Sequence, residues 1–550
     1  MLSLALWPIV LLVYLPAILS ADFIWDDFVI GTDIIRQWDG LRRIWFSPAD
    51  IPAEGHYWPL TYTSFWLENK LWGGIASGYH TVNVLLHLAN TLLLWHLLRR
   101  LAVPGAWMAA AVFAVHPVHV ESVAWIIERK DVLSGMFYLL AAAAWVRFAE
   151  QARPRWYLSA LAAYVGGLLS KSVVVTLPVA LLIWHWWKRG RLTWTDLLQV
   201  APFFVVGAAI TYADLLFNRS RGVASFDYSL VERLLIASRS FWFYVGKLFW
   251  PLDLAGIYPH WEVRAADPLA WAGLGVPVVL VAVLWLLRRR IGRGPLAGVL
   301  FFAVTLSPVL GFVDFNFMLF SFVADRYQYL ASIGITTAVV AAAASGLAAL
   351  RRRDPQQGRA TGVVLVVLTL ALLGTLSARH ASLYADGVRF FTHVVSYHPT
   401  ARDAHLNLAS ELLSRNRFDE AIAAYRVAEE QRPHDCKPPY GAGLALYHLG
   451  RIQEAEDAYQ RALDLCPAYG KALTDFAELR LFQQRYEGAL RLADSAIEVQ
   501  PRNASAWIHR GRALRHLGRD AQALDSIDRA LAIEPSDMAA QEVRAEISER

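Results

Sequence analysis

Eleven apolar segments of bilayer-crossing or nearly bilayer-crossing length lie between Leu2 and Leu376, and no other feature of the chain limits its fold as tightly. In hydrocarbon every backbone N–H and C=O must be satisfied within the segment itself, so such runs fold as helices. They fall at 2–19, 79–98, 107–127, 132–148, 156–169, 173–187, 200–216, 269–287, 296–310, 327–350 and 362–376. The runs at 156–169 and 173–187 are short, which leaves their pairing around Ser170-Lys171 open. A further run at 236–250, ended by Pro251, reads as an interfacial or re-entrant helix. With 56% hydrophobic residues, 18% charged residues and 22 tryptophans, the composition is that of an integral membrane protein.

The net charge of +5 does not indicate a nucleic-acid binder. Arg99-Arg100, Lys188-Arg189, Arg288-Arg289-Arg290 and Arg351-Arg352-Arg353 stand at the ends of apolar segments, where basic residues set topology. If these clusters all face the cytoplasm, the 236–250 run does not cross, the N-terminus is inside and the C-terminus outside. The first segment has no basic region before it, and it reads as an uncleaved helix rather than a signal peptide. The polar, aromatic stretch 21–78 is then the first external loop of a membrane domain covering 1–380.

From His398 the composition turns polar and helical. Pro399, Pro433, Pro467, Pro501 and Pro535 are each 34 residues apart, the tetratricopeptide period. Ala421, Ala455, Ala489 and Ala523 lie twelve residues before each closing proline, and Ala428, Ala462, Ala496 and Ala530 five before it. Small residues at these positions let two helices approach closely, and each proline closes the second of them. Residues 398–550 therefore predict four repeats and a capping helix, an all-α solenoid whose groove suits a peptide or partner protein. Cys436 and Cys466 fall inside it, and their pairing is left open by the sequence.

Polar groups that carry chemistry gather at four places on the expected external face. Asp26 and Asp27 follow the first span; neighbouring side chains in an extended segment face opposite ways, so one of the two is expected to point into a site as general base. His116-Pro117-Val118-His119-Val120-Glu121 interrupts an apolar run, so its polar groups need partners, either a hydrogen-bonded network or a metal ion. Glu128 to Asp131 forms the next external turn. Ser170-Lys171 sits at a break between short spans, and Ala324-Asp325-Arg326-Tyr327 opens another. Lysine and arginine at both places suit a lipid phosphate met at the membrane surface.

These motifs together resemble the transmembrane and tetratricopeptide-repeat-containing O-mannosyltransferase family, or a prokaryotic relative of it, among polyprenol-phosphate-sugar-dependent enzymes of the GT-C fold. The resemblance rests on Trp25-Asp26-Asp27, Tyr57-Trp58-Pro59-Leu60-Thr61, Gly78-Tyr79-His80-Thr81-Val82-Asn83 leading to His87, Phe113 to Glu121, Arg129-Lys130-Asp131, Ser170-Lys171 and Ala324-Asp325-Arg326-Tyr327, in family order. It implies an all-α, polytopic GT-C fold of about eleven transmembrane helices followed by the repeats. It also implies inverting transfer of mannose or another hexose from a polyprenyl-phosphate donor to an acceptor hydroxyl, outside the cytoplasm.

Carried onto this sequence, Asp26 or Asp27 accepts the proton of the attacking hydroxyl and Glu121 is the second acidic group. Lys171, Arg326, Tyr327 and Arg129 hold the donor phosphate, with His116, His119, Asp131 and His80 as a supporting polar network. Where the family has an acid directly after the serine-lysine pair, this chain has Ser172, which opens the questions of donor geometry and of a divalent cation. A bacterial inner membrane, with the repeats on the periplasmic side, is the expected location. A non-catalytic membrane scaffold is the competing reading.

Overall fold

The computed structural model describes residues 2–19, 22–51, 54–221, 226–266 and 268–548. Among them every regular element is helical, and the chain divides into two compact units, Met1–Arg402 and Asp403–Arg550.

In the first unit the expected apolar segments fall wholly or largely on helices, with one exception. Ala76–Arg100, Ile126–Gln151, Trp194–Ser220, Ser332–Arg353 and Pro355–Ala385 are long and apolar enough to cross a membrane, and Leu4–Leu19, Ala106–Val115, Trp271–Leu287 and Gly294–Val309 are shorter apolar helices. The expected continuous span at 107–127 is broken instead. Ala106–Val115 stops before Pro117, whose missing N–H ends the helical ladder, and a 3-10 turn, Pro117–His119, leads into the short helix Val120–Ala124.

The 156–187 region folds as Pro154–Leu168, a 3-10 turn Ser172–Thr176 and Leu177–Arg189. Gly167 at its bend has no room for a side chain, since a Cβ there would stand 2.8 Å from Val174. The start of the Pro59–Trp72 helix docks on this bend. Leu60 N–H donates to Leu169 C=O at 3.1 Å, and the Thr61 hydroxyl donates to Ser170 C=O at 3.0 Å. Lys171 is thereby fixed against the loop that begins with Asp26.

The 236–250 run is part of a longer helix, Leu230–Phe249, capped reciprocally by Ser229 and Glu232. The segment between 380 and 398 continues the first unit: Phe390 and Phe391 of the Gly387–Tyr397 helix pack on Trp25.

The second unit consists of four antiparallel helix pairs and a last helix. The pairs are Ala404–Ser414 with Phe418–Gln431, Lys437–His448 with Ile452–Leu465, Gly470–Phe482 with Tyr486–Val499, and Ala504–His516 with Asp520–Ile533, followed by Met538–Ser548. The periodic alanines Ala421, Ala455, Ala489 and Ala523 are completely buried between paired helices. Pro433, Pro467, Pro501 and Pro535 each stand two residues beyond the second helix of a pair, where proline cannot continue the ladder. A disulfide joins Cys436 to Cys466, with Cα atoms 5.8 Å apart.

Candidate active site

The first helix gives way to a 3-10 turn, Trp25–Gly31, that presents the two aspartates differently. Asp27 is 1% exposed. One of its carboxylate oxygens accepts from Ile24 N–H at 3.0 Å and the other from Ile127 N–H at 2.9 Å, across a hundred residues of sequence. Burial holds its carboxyl well above the usual range, although both N–H groups oppose the shift.

Asp26 faces the other way and is exposed to solvent, yet protein crowds it on most sides. That crowding pushes its carboxyl up to about 6; Lys130 and Arg326 pull it down, while Glu128 and Glu54 push it further up. Trp25, just before it, has φ of +46°, a conformation that costs a bulky residue strain. Stacking of its ring on Trp125, with centroids 5.1 Å apart, holds the turn in place.

The charges near Asp26 form one largely buried cluster centred on Glu128. Lys130 Nζ and Arg326 Nε each lie 3.3 Å from its Oε1, and Lys171 Nζ lies 3.6 Å from its Oε2. Lys171 also donates to Asp131 at 2.6 Å. Arg326 pairs with Glu121, which in addition accepts the Arg326 backbone N–H at 2.9 Å. Aromatic faces complete the setting. Arg326 lies 4.0 Å from the Phe317 ring centre and 5.0 Å from that of Tyr327, and Lys171 is 5.7 Å from the latter.

Three cations from three segments thus share the Glu128 carboxylate, and two of them, Lys130 and Arg326, act on Asp26. Next to this cluster Asp325 accepts from the Tyr258 hydroxyl at 2.7 Å, and burial pushes its carboxyl up to about 6.

Several residues singled out in the sequence do other work. Arg129, expected to hold a phosphate, has no exposed surface; it pairs with Glu68 through both terminal nitrogens and donates to Asn83 and to Tyr79 C=O. Asp27 is a brace with both oxygens occupied, and Glu121 is a clamp on Arg326 rather than a free acid. The histidines, expected as a supporting polar network, hydrogen-bond within the protein. His116 reaches Leu248 C=O at 3.0 Å, His119 bridges Phe113 C=O and the Ser332 hydroxyl, and His80 approaches Asp22 C=O at 3.4 Å. Among the described residues no three metal-ligating side chains are grouped to hold an ion.

Sequence reasoning placed Glu128 in an external turn with Asp131 but gave it no role as the hub. Glu128 and Asp131 are three residues apart and so share one helical face, whereas Arg129 is turned away from it. That periodicity was the available signal. It also missed Asp214, for which no local signal exists. Its carboxylate accepts from Ser172 at 2.6 Å and from Tyr57 N–H at 2.7 Å, and lies 3.1 Å from His56, whose ring stacks on Trp58. Asp214, from the Trp194–Ser220 helix, thus sets a carboxylate against the residue that follows Lys171.

An apolar cavity of 720 Å³ opens further along the same helices. Tyr138, Leu177 and Ile333 line it, six or seven residues past Asp131, Lys171 and Arg326 respectively, and its other end reaches Leu101, Lys188 and Ile291.

Residues 59–215 match the family model described as dolichyl-phosphate-mannose-protein mannosyltransferase. Residues 376–435, 440–469 and 474–537 match tetratricopeptide-repeat models. The chain is similar to a protein O-mannosyl-transferase of Caenorhabditis elegans, 24% identical over 72% of this chain and 57% of that one. It is also similar to the protein O-mannosyl-transferase Tmtc1 of Drosophila melanogaster, 40% identical over 22% of this chain and 16% of that one. The corresponding tmtc2 of Xenopus laevis is 39% identical over 24% and 17%. The matches thus span little more than half of the first relative and under a fifth of the other two. Of solved structures, YrrB, described as a TPR protein with an unusual peptide-binding site, is 20% identical with a TM-score of 0.26, covering 29% of this chain and 82% of that one.

Proposed function

We propose that this chain, which joins a region of the dolichyl-phosphate-mannose-protein mannosyltransferase type to tetratricopeptide repeats and resembles protein O-mannosyl-transferases, transfers a hexose, mannose in the first instance, from a polyprenyl-phosphate donor to a protein serine or threonine hydroxyl. The observation that carries the reading is the position of Asp26, a solvent-reached carboxylate in the fields of Lys130 and Arg326, which share the Glu128 carboxylate with Lys171.

In this mechanism Asp26 accepts the proton of the acceptor hydroxyl as its oxygen attacks the anomeric carbon. The bond from that carbon to the phosphate oxygen breaks, its electron pair leaves with the polyprenyl phosphate, and the configuration inverts. Lys130, Lys171 and Arg326 balance the charge that develops on the departing phosphate. Glu128, Asp131 and Glu121 keep these cations in place before the donor arrives, so little reorganisation accompanies the reaction. The 720 Å³ apolar cavity along the same helices suits the first isoprene units of the carrier.

The reaction takes place on the non-cytoplasmic side of the membrane, a reading supported by the disulfide in the repeat unit. The test is label transfer from polyprenyl-phosphate [3H]mannose to protein by the purified full-length chain. The expected result is transfer that Asp26→Asn abolishes while donor binding persists. Undiminished transfer by that variant overturns the assignment of the base, and absence of both binding and transfer favours a scaffold.

A further inference from the structure

The second and third repeats carry a cluster of acidic and aromatic side chains that the transferase reading does not use. The first helices of successive repeats, Lys437–His448, Gly470–Phe482 and Ala504–His516, lie side by side, and in a solenoid such neighbours form the binding surface. Tyr440 donates its hydroxyl to Asp475 at 2.8 Å. Glu478, one helical turn further, makes no hydrogen bond and no ion pair within 4.0 Å among the described residues. Both carboxyls are half-shielded and are held above the usual range, by burial first of all. Lys471, Arg512 and His448 oppose this through their fields without pairing.

Aromatic rings form a wall beside these acids. Tyr440 meets Tyr469 edge-on with centroids 5.1 Å apart and Tyr459 at 6.2 Å, and Tyr447 meets Phe482 at 6.3 Å. Tyr459 is completely buried, its hydroxyl has no partner, and that hydroxyl stands in the fields of Asp475, Tyr440, Glu478 and Tyr447, so it points into the same space. The Cys436–Cys466 disulfide packs under Tyr440 and Tyr469 and fixes this wall.

Two carboxylates among tyrosine faces lack a directly paired cation, since Lys471, Arg512 and His448 reach them only through their fields. We propose that this cluster takes the cationic side chain, lysine or arginine, of a peptide segment bound along the repeats. The acids supply the charge complement, and the rings supply cation–π contacts to a group already stripped of water. A phosphate or carboxylate of a ligand would instead face Asp475 and Glu478 at close range. The proposal stands independently of the transferase reading, because it concerns binding alone.

The test is selection of a displayed random dodecamer library on the immobilised full-length chain in detergent, with enrichment read by sequencing. The expected result is enrichment of lysine or arginine at one position. A selected peptide should then bind at least about tenfold more tightly than its norleucine counterpart. Glu478→Gln should abolish that preference without shifting the melting temperature, and Glu478→Lys should reverse it toward acidic peptides. The proposal is overturned if no cationic residue is enriched, if acidic residues are, or if correctly folded Glu478→Gln retains the preference.

Discussion

Asp26 and Asp27 are adjacent carboxylates that the fold has given different tasks, and their asparagine variants should part accordingly. Asp26→Asn removes a base without disturbing a hydrogen bond of the turn, so transfer should fall by about 10² to 10⁴-fold with stability unchanged. Asp27→Asn turns an amide N–H toward Ile24 N–H or Ile127 N–H, both donors. It should cost about 1–3 kcal/mol in thermal unfolding, with any loss of activity following from that. The pH dependence separates the two roles further. A base works deprotonated, and the Asp26 carboxyl is pushed up to about 6. The rate of transfer at low substrate should therefore rise with pH through a limb near 6 and level off above it. A flat profile between pH 5 and 7 would remove Asp26 from the chemistry. That one of the two aspartates faces the site follows from their adjacency in sequence. Which one does so depends on Ile127, a hundred residues away, and no local pattern carries that information.

At the level of elements, the helices and the repeats could be read from hydrophobic runs and a 34-residue period, because both are local and repeated. The broken span at Pro117 had its signal in the proline. The polar core could not be read in the same way, because its pairs join residues far apart in the chain: Glu68 with Arg129, Asp214 with His56, Glu121 with Arg326. The first of these pairs provides the clearest test. Arg129 is wholly enclosed and holds the Pro59–Trp72 and Ala76–Arg100 helices to the start of Arg129–Gln151. Arg129→Met leaves the Glu68 carboxylate buried without its counterion, which should cost about 3–5 kcal/mol. Detergent-solubilised protein should show this as early unfolding. A variant of normal stability with impaired donor binding would instead return Arg129 to the phosphate site.

For the whole molecule the open quantity is the parity of membrane crossings, and the disulfide gives access to it. Cys436 precedes the first helix of the second repeat and Cys466 follows its second helix. Antiparallel pairing of two helices brings these ends together, which the 30-residue separation alone does not reveal. Closing a loop of this length should stabilise the repeat unit by about 3–4 kcal/mol, a gain available only where thiols oxidise. In cells quenched with acid and then denatured, both cysteines should therefore resist a thiol-directed polyethylene glycol reagent until reduction, and then take up two equivalents. That outcome puts the repeats outside the cytoplasm and requires an odd number of crossings if the N-terminus is inside, as eleven would be. Labelling without reduction would mean a reducing compartment and an even number. Leu230–Phe249, a helix of 20 residues, would then be the additional span.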